Sequence, residues 1–145
     1  MTSQPGKGKS ISFLDDAVND LVRLHAARPH AARGVVSVLL RLERGEVSPQ
    51  RLRSFTKTGD LSDCGKLTVI VEGEPELRVV VRDLGKDRFE VVEVVTIAER
   101  ADDIAYLVSA LRLGRISDPV RRSDTERRLA RILAARRGNG GQLPT

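Results

Sequence analysis

Apolar residues recur at helical spacing through Leu14, Val18, Leu21, Val22 and Leu24, with Asp15 and Asp16 where a positive helix-dipole end would sit. This predicts a first helix from Asp15 to about Arg28. Pro29 is disfavoured in a helix interior and tolerated in a first turn, so it divides this helix from a second periodic stretch, Val35, Val36, Leu39, Leu40 and Leu42, which Gly45 ends as a C-terminal cap. The two read as an antiparallel helical hairpin. Ahead of them Ser10 to Phe13 alternates weakly, as a short edge strand or as the entry to the first helix.

Glu46 to Gly65 carries Pro49, Gly59 and Gly65 among Ser, Thr and Asp, and reads as a connection without an element of its own. The period then changes to two. Lys66 to Glu72 alternates through Leu67, Val69 and Val71, Glu76 to Asp83 through Leu77, Val79 and Val81, and Arg88 to Ala98 is rich in Val. The turns at Gly73-Glu74-Pro75 and Gly85-Lys86-Asp87 are short enough only for antiparallel neighbours, which predicts a three-strand meander. In the last strand both alternate sets are apolar, Phe89, Val91, Val95 and Ile97 on one side and Val92, Val94 and Ala98 on the other, so it should be covered on both faces. Helical spacing returns from Asp102 to about Leu113 through Ile104, Leu107, Val108 and Leu111, with Asp102 or Asp103 near its start. Ser117-Asp118-Pro119 then offers an N-cap followed by Pro at the first helical position of an Arg-rich segment.

The fold class expected is α+β: a helical hairpin packed on a small antiparallel sheet, with a C-terminal helix and an Arg-rich helical extension. The chain divides into a flexible N-terminus (1–9), a single domain (10–114), the extension (115–137) and a disordered tail (138–145). A length of 145 residues fits one core, and 3% aromatic content makes that core aliphatic and argues against a nucleic-acid platform built from several stacked rings. No long apolar run and no signal-peptide-like start is present, so a cytoplasmic protein without a membrane partner is expected. Cys64 is the one cysteine and reads as a packed turn residue; with His25 and His30 as the only histidines no metal-binding spacing arises, so neither a metal nor another cofactor is expected.

The formal charge of +5 is unevenly placed. Residues 1–9 carry two Lys and no acid, and residues 115–145 carry eight Arg against three acids, leaving 10–114 with 15 basic and 17 acidic groups. The basic character therefore belongs to the ends. Along the second meander strand Arg78, Val80 and Arg82 share one face, so Arg78 and Arg82, roughly 13 Å apart, are positioned to line one cleft. Arg78 is also able to pair with Glu90 or Glu93 across the meander, Arg100 with Asp102 or Asp103, and Tyr106 to dock its helix on the sheet. The Arg run that includes Arg121, Arg122 and Arg128 reads as a solvated helix, a nucleic-acid or ribosome contact, or a partner-binding helix.

The strings CGKLTVIV (64–71), LRVVVRD (77–83), EVVEVVTIAER (90–100) and DDIAY (102–106), in this order after two helices, resemble the RelE/ParE superfamily of type II toxins over roughly residues 10–114. The most specific match is an Arg closing the last strand six residues before a helical Tyr. The resemblance implies a metal-independent endoribonuclease that cleaves ribosome-bound mRNA through attack of a 2′-hydroxyl on its adjacent phosphate, with a cognate antitoxin as partner. It assigns Lys66 and Arg78 to neutralising phosphate and activating the nucleophile, Arg100 to the leaving side, and Tyr106 to orienting or deprotonating the ribose or stacking a base. Arg82, Arg121, Arg122 and Arg128 would hold RNA. Thr68 stands where some RelE-like nucleases place a second basic residue. The resemblance leaves open two other functions: a ParE-like, non-catalytic inhibitor of DNA gyrase, and an inactive relative serving as a protein-interaction module.

Overall fold

The computed structural model describes residues 9–53, 59–85 and 88–140. Strand β1 (Ser10–Phe13) leads into α1 (Asp15–Ala27) and α2 (Pro29–Glu43); β2 (Gln50–Arg51), β3 (Cys64–Val69), β4 (Leu77–Asp83) and β5 (Val91–Glu99) come next; a 3₁₀ turn (Ala101–Asp103) precedes α3 (Ile104–Arg112) and α4 (Pro119–Gly140). The fold is α+β. The expected meander β3-β4-β5 forms its centre, and the sheet is wider and mixed, in the order β1-β5-β4-β3-β2. Ser10–Phe13 is a strand, and it joins β5 in parallel rather than antiparallel fashion. Its ladder runs from the Ser10 amide on the Glu90 carbonyl to the Leu14 amide on the Val94 carbonyl, each 2.9 Å. The connection before β3 also holds an element, β2, paired antiparallel with β3.

Pro29 and Gly45 punctuate the hairpin as their chemistry dictates. Pro29 opens α2 at its first position, and Gly45, at φ 75°, lets its own amide reach the Leu42 carbonyl and the Glu46 amide reach that of Arg41. Gly34 has a different role: a Cβ there would lie 2.4 Å from Val71 Cγ2, so only glycine lets α2 press onto the sheet at the end of β3.

The hairpin buries Ala17, Ala31, Val35, Leu39 and Leu42 against Leu67, Leu77, Val79, Val81 and Phe89. The opposite face of the sheet presents Cys64, Val80 and Val95 to Ala105 of α3, with Leu52, Leu61 and Tyr106 around them. Strand β5 is covered on both faces, but its alternation is not the simple one expected. Val80 pairs with Thr96 and Val81 with Val94, so Val95 is an extra residue, and the bulge places Val92, Val94 and Ile97 on the hairpin side. Val95 and Ala98 face α3, and a buried hydroxyl pair, Ser109 and Thr96 at 2.8 Å, ties α3 to β5.

Three boundaries differ from the sequence reading. α3 begins at Ile104, because Asp102 and Asp103 both adopt positive φ (57° and 58°) and neither caps the helix. α4 does begin at Pro119, with Asp118 Oδ1 accepting the Val120 amide at 3.0 Å, but it continues to Gly140, so residues 138–140 are helical. Residues 1–8 and 141–145, expected to be flexible or disordered, lie outside the described residues, whereas Lys9 is held by its amide on the Glu43 carbonyl. No helix among the described residues is long and apolar enough to cross a membrane.

Beyond the end of β1, the free edge of β5 is closed by side chains. Asp20 of α1 accepts the Ile97 amide (2.9 Å) and both Nη atoms of Arg112 (2.6 and 2.9 Å), and Arg112 Nη1 also donates to the Val95 carbonyl (2.9 Å). One ion pair thus ties α1, on one face, to the end of α3, on the other.

Candidate functional site

Lys66, on β3, faces Val80 across the ladder, and Thr68 faces Arg78, which in turn faces Ala98. Lys66 and Arg78 are therefore diagonal neighbours on the face that α3 only partly covers. Arg100 comes directly after β5 and is pinned by its amide on the Glu76 carbonyl (3.0 Å), beside the start of β4. Tyr106 comes from the first turn of α3, between the buried Ala105 and Leu107. The side chains of Lys66, Arg78, Arg100 and Tyr106, together with Asp102 and Asp103, line one cleft of about 410 Å³.

Arg78 is the anchor. It is 7% exposed and is the one charged residue in the buried set, alongside Thr96 and Ser109, among the described residues. A buried charge needs partners. Arg78 Nη1 pairs with Glu76 Oε2, and Arg78 Nε donates to Tyr106 Oη at 3.2 Å. Burial opposes its charge, but the bonds to Glu76 and Tyr106 outweigh that and hold its pKa above the ordinary arginine value. In return the hydrogen bond from Arg78, assisted by the charges of Arg100 and Lys66, holds the Glu76 carboxyl below its usual range. Because a guanidinium N–H only donates, the Tyr106 oxygen is the acceptor and its own hydrogen is directed elsewhere.

The pairings differ from those the sequence offered. The register sets Glu93 opposite Arg82, with which it pairs (2.7 Å), and sets Arg78 opposite Ala98, where its partner is Glu76. Arg100 Nε lies 3.9 Å from Glu76 and its side chain is 60% exposed, with no bond to Asp102 or Asp103. Arg82 shares a face with Arg78 but sits at the far end of β4, outside the cleft, opposite Cys64. Arg121, Arg122 and Arg128 lie on α4 away from the cleft, Arg122 within 3.9 Å of Glu126. The α4 residue that reaches the rim is Arg136, paired with Glu99 and with Asp102 (3.4 Å). Cys64 is the first residue of β3 rather than a turn residue, and burial pushes its thiol up to about 12.

No protein-family model and no characterised protein sequence matches the chain. A solved structure of the toxin RelE from E. coli, a double arginine mutant in the free state, is similar at 18% identity and a TM-score of 0.47, covering 76% of this chain and 99% of that one.

The sequence reading did not anticipate the carboxylates of the site. Asp102 and Asp103 stand between Arg100 and Tyr106 in the chain, and that bracketing was the available signal; the sequence suggested them only as the start of a helix and as ion-pair partners for Arg100. With them, the cleft sets three cations and a phenol against two aspartates, with Glu76 behind the arginines. Such a set can hold a phosphodiester by its oxygens and exchange protons with it. A second depression, about 770 Å³, lies on the outer face of the hairpin between Leu21, Val22, Val36 and Leu40, with Arg33 and Arg41 at its rim. His25 lines it, and His30 lies 2.6 Å from Arg33, so both histidines belong to the hairpin and not to the cleft.

Proposed function

We propose that the chain is a RelE-like toxin, a metal-independent endoribonuclease that cleaves ribosome-engaged mRNA and is neutralised by a separate antitoxin protein. The observation that carries this is the convergence of Lys66, Arg78, Arg100 and Tyr106, from three strands' worth of sequence and one helix, on a single cleft. Attack of a 2′-oxygen on the adjacent phosphorus gathers negative charge on the phosphoryl oxygens, and preset cations lower that barrier without reorganising. Lys66 and Arg78 serve that purpose from the sheet floor, and Arg100 serves the leaving side from the rim. Tyr106, whose oxygen is already occupied by Arg78, presents its O–H as a donor to a phosphate or leaving oxygen.

The same reading gives the other surfaces a use. The cationic α4 carries Arg121, Arg122 and Arg128 in exposed or half-exposed positions, suited to the phosphates of a large RNA assembly. The groove on the hairpin, apolar at its floor and basic at its rim, suits an acidic amphipathic segment of the antitoxin.

The test is cleavage of mRNA on programmed ribosomes, mapped at nucleotide resolution, together with growth arrest on expression. Wild type should cut and arrest growth, and Arg78→Ala and Arg100→Ala should lose both while remaining folded. If both variants remained as toxic as wild type, the assignment would be wrong.

A further inference from the structure

The cations of the cleft leave one chemical role unfilled. A 2′-hydroxyl must lose its proton as it attacks, and an ammonium or guanidinium has no lone pair to receive it. The oxygen bases within reach are few. Glu76 is held by Arg78 and Arg100, and Asp102 by Arg136. Tyr106 has its oxygen occupied by Arg78. Asp103 lines the cleft, is exposed, does not cap α3, and makes no hydrogen bond or ion pair among the described residues. Its backbone stands at φ 58°, directly after Asp102 at 57°, an unusual pair of left-handed residues that turns the chain between Arg100 and Ile104. The turn keeps Asp103 out of the α3 ladder and on the cleft wall.

We infer that the Asp103 carboxylate is the general base of the cleavage, a role that rests on the nuclease reading above. The step balances within the site. Asp103 takes the 2′-hydroxyl proton, the 2′-oxygen forms a bond to phosphorus, and the P–O5′ bond breaks to give a 2′,3′-cyclic phosphate. The departing 5′-oxygen takes the Tyr106 hydrogen, and the phenolate recovers its proton from water. Asp103 and Tyr106 thus form an acid–base pair, with Lys66, Arg78 and Arg100 holding the phosphate between them.

Asn separates this role from a structural one, because it tolerates positive φ as Asp does and cannot accept the proton. Asp103→Asn should fold normally and bind a substrate analogue with a 2′-deoxy group at the scissile position within about threefold of wild type. It should cleave roughly 100-fold more slowly. Asp103→Gly, which relieves the backbone, should lose cleavage equally, and Asp103→Glu should recover part of it. Cleavage by Asp103→Asn within threefold of wild type, while Arg78→Ala is inactive, would overturn the role of Asp103 and leave the nuclease reading standing. A wild-type protein that cuts no RNA would overturn both.

Discussion

Tyr106 Oη accepts a hydrogen bond from Arg78 Nε at 3.2 Å, and through it the first turn of α3 is fastened to the central strand of the sheet. The bond serves both the fold and the site, since it neutralises part of the cost of burying Arg78 and fixes which way the phenol hydrogen points. Tyr106→Phe keeps the ring in its contacts with the α3-side core and removes only the oxygen. Loss of one hydrogen bond to a charged group that the cleft leaves within reach of water should cost about 1–2 kcal/mol of stability. Cleavage should fall by roughly 100-fold with RNA binding little changed. Urea unfolding and single-turnover cleavage separate the two effects.

Arg78→Lys tests whether charge alone suffices. Lysine keeps the positive charge but presents it as a point, and it cannot give one N–H to Tyr106 and another to Glu76 in a fixed fork. The variant should cleave roughly tenfold to 100-fold more slowly than wild type. Full activity in Arg78→Lys would show that the fork geometry is irrelevant.

The helices and the three-strand core were legible in the sequence because each obeys a local rule: apolar periodicity, Pro29 at a helix start, Gly45 at a helix end, turns too short to cross over. The four cleft residues were legible as a set through the resemblance, and the fold brings their side chains together. The remainder depended on long-range pairing. Nothing local in Ser10–Phe13 specifies a parallel partner some 80 residues away, and a Val-rich run conceals a bulge because Val95 looks the same on either face. Arg82 failed to join the cleft for a related reason: it shares the face of Arg78, but the length of β4 separates them, and Glu93 was nearer. The carboxylates of the site were hidden because two aspartates next to Arg100 at the start of an apolar helix look like its ion-pair partners unless their backbone is known.

The cationic α4 should act through charge rather than shape. Its polar sequence packs on α3, and Arg136 is its link to the cleft rim through Glu99 and Asp102. Ending the chain after Ile116 should leave the sheet folded, weaken RNA binding at low salt, and flatten the dependence of log K on log salt concentration, by about one unit of slope for each phosphate that α4 had neutralised. An unchanged slope would mean that the Arg run neutralises no phosphate.

Asp20→Ala should be among the most damaging changes outside the cleft. The side chain of Asp20 is 8% exposed and that of Arg112 is 16% exposed, so truncation leaves a guanidinium with its main partner gone and the Ile97 amide unsatisfied on the edge of β5. Breaking one side of a buried pair costs about 3–5 kcal/mol. The midpoint of urea unfolding should drop accordingly, while replacing both residues with well-packed apolar ones should cost less than the single truncation.

Asp63 and Arg115 give the stability a pH dependence with a definite sign. Arg115 donates to both Asp63 oxygens at 2.7 and 2.8 Å, and this holds the Asp63 carboxyl below its usual value despite partial burial. A carboxyl depressed in the folded state stabilises the fold fully above its unfolded pKa of about 4, and that contribution is lost as pH falls through the folded value. Asp60, depressed by its bonds to Ser62, acts in the same direction. Wild-type stability should therefore decline below about pH 4, and Asp63→Asn should decline less steeply there. At pH 7 the variant should be less stable by about 1 kcal/mol, as expected for a well-aligned but partly exposed pair. Removing the Asp63 charge also removes one of the influences that raise the Cys64 thiol, but burial is the larger one. Cys64 should accordingly stay unreactive toward iodoacetamide at pH 8 in the folded variant, and labelling at the rate of an exposed cysteine would show that Asp63, not burial, protects it.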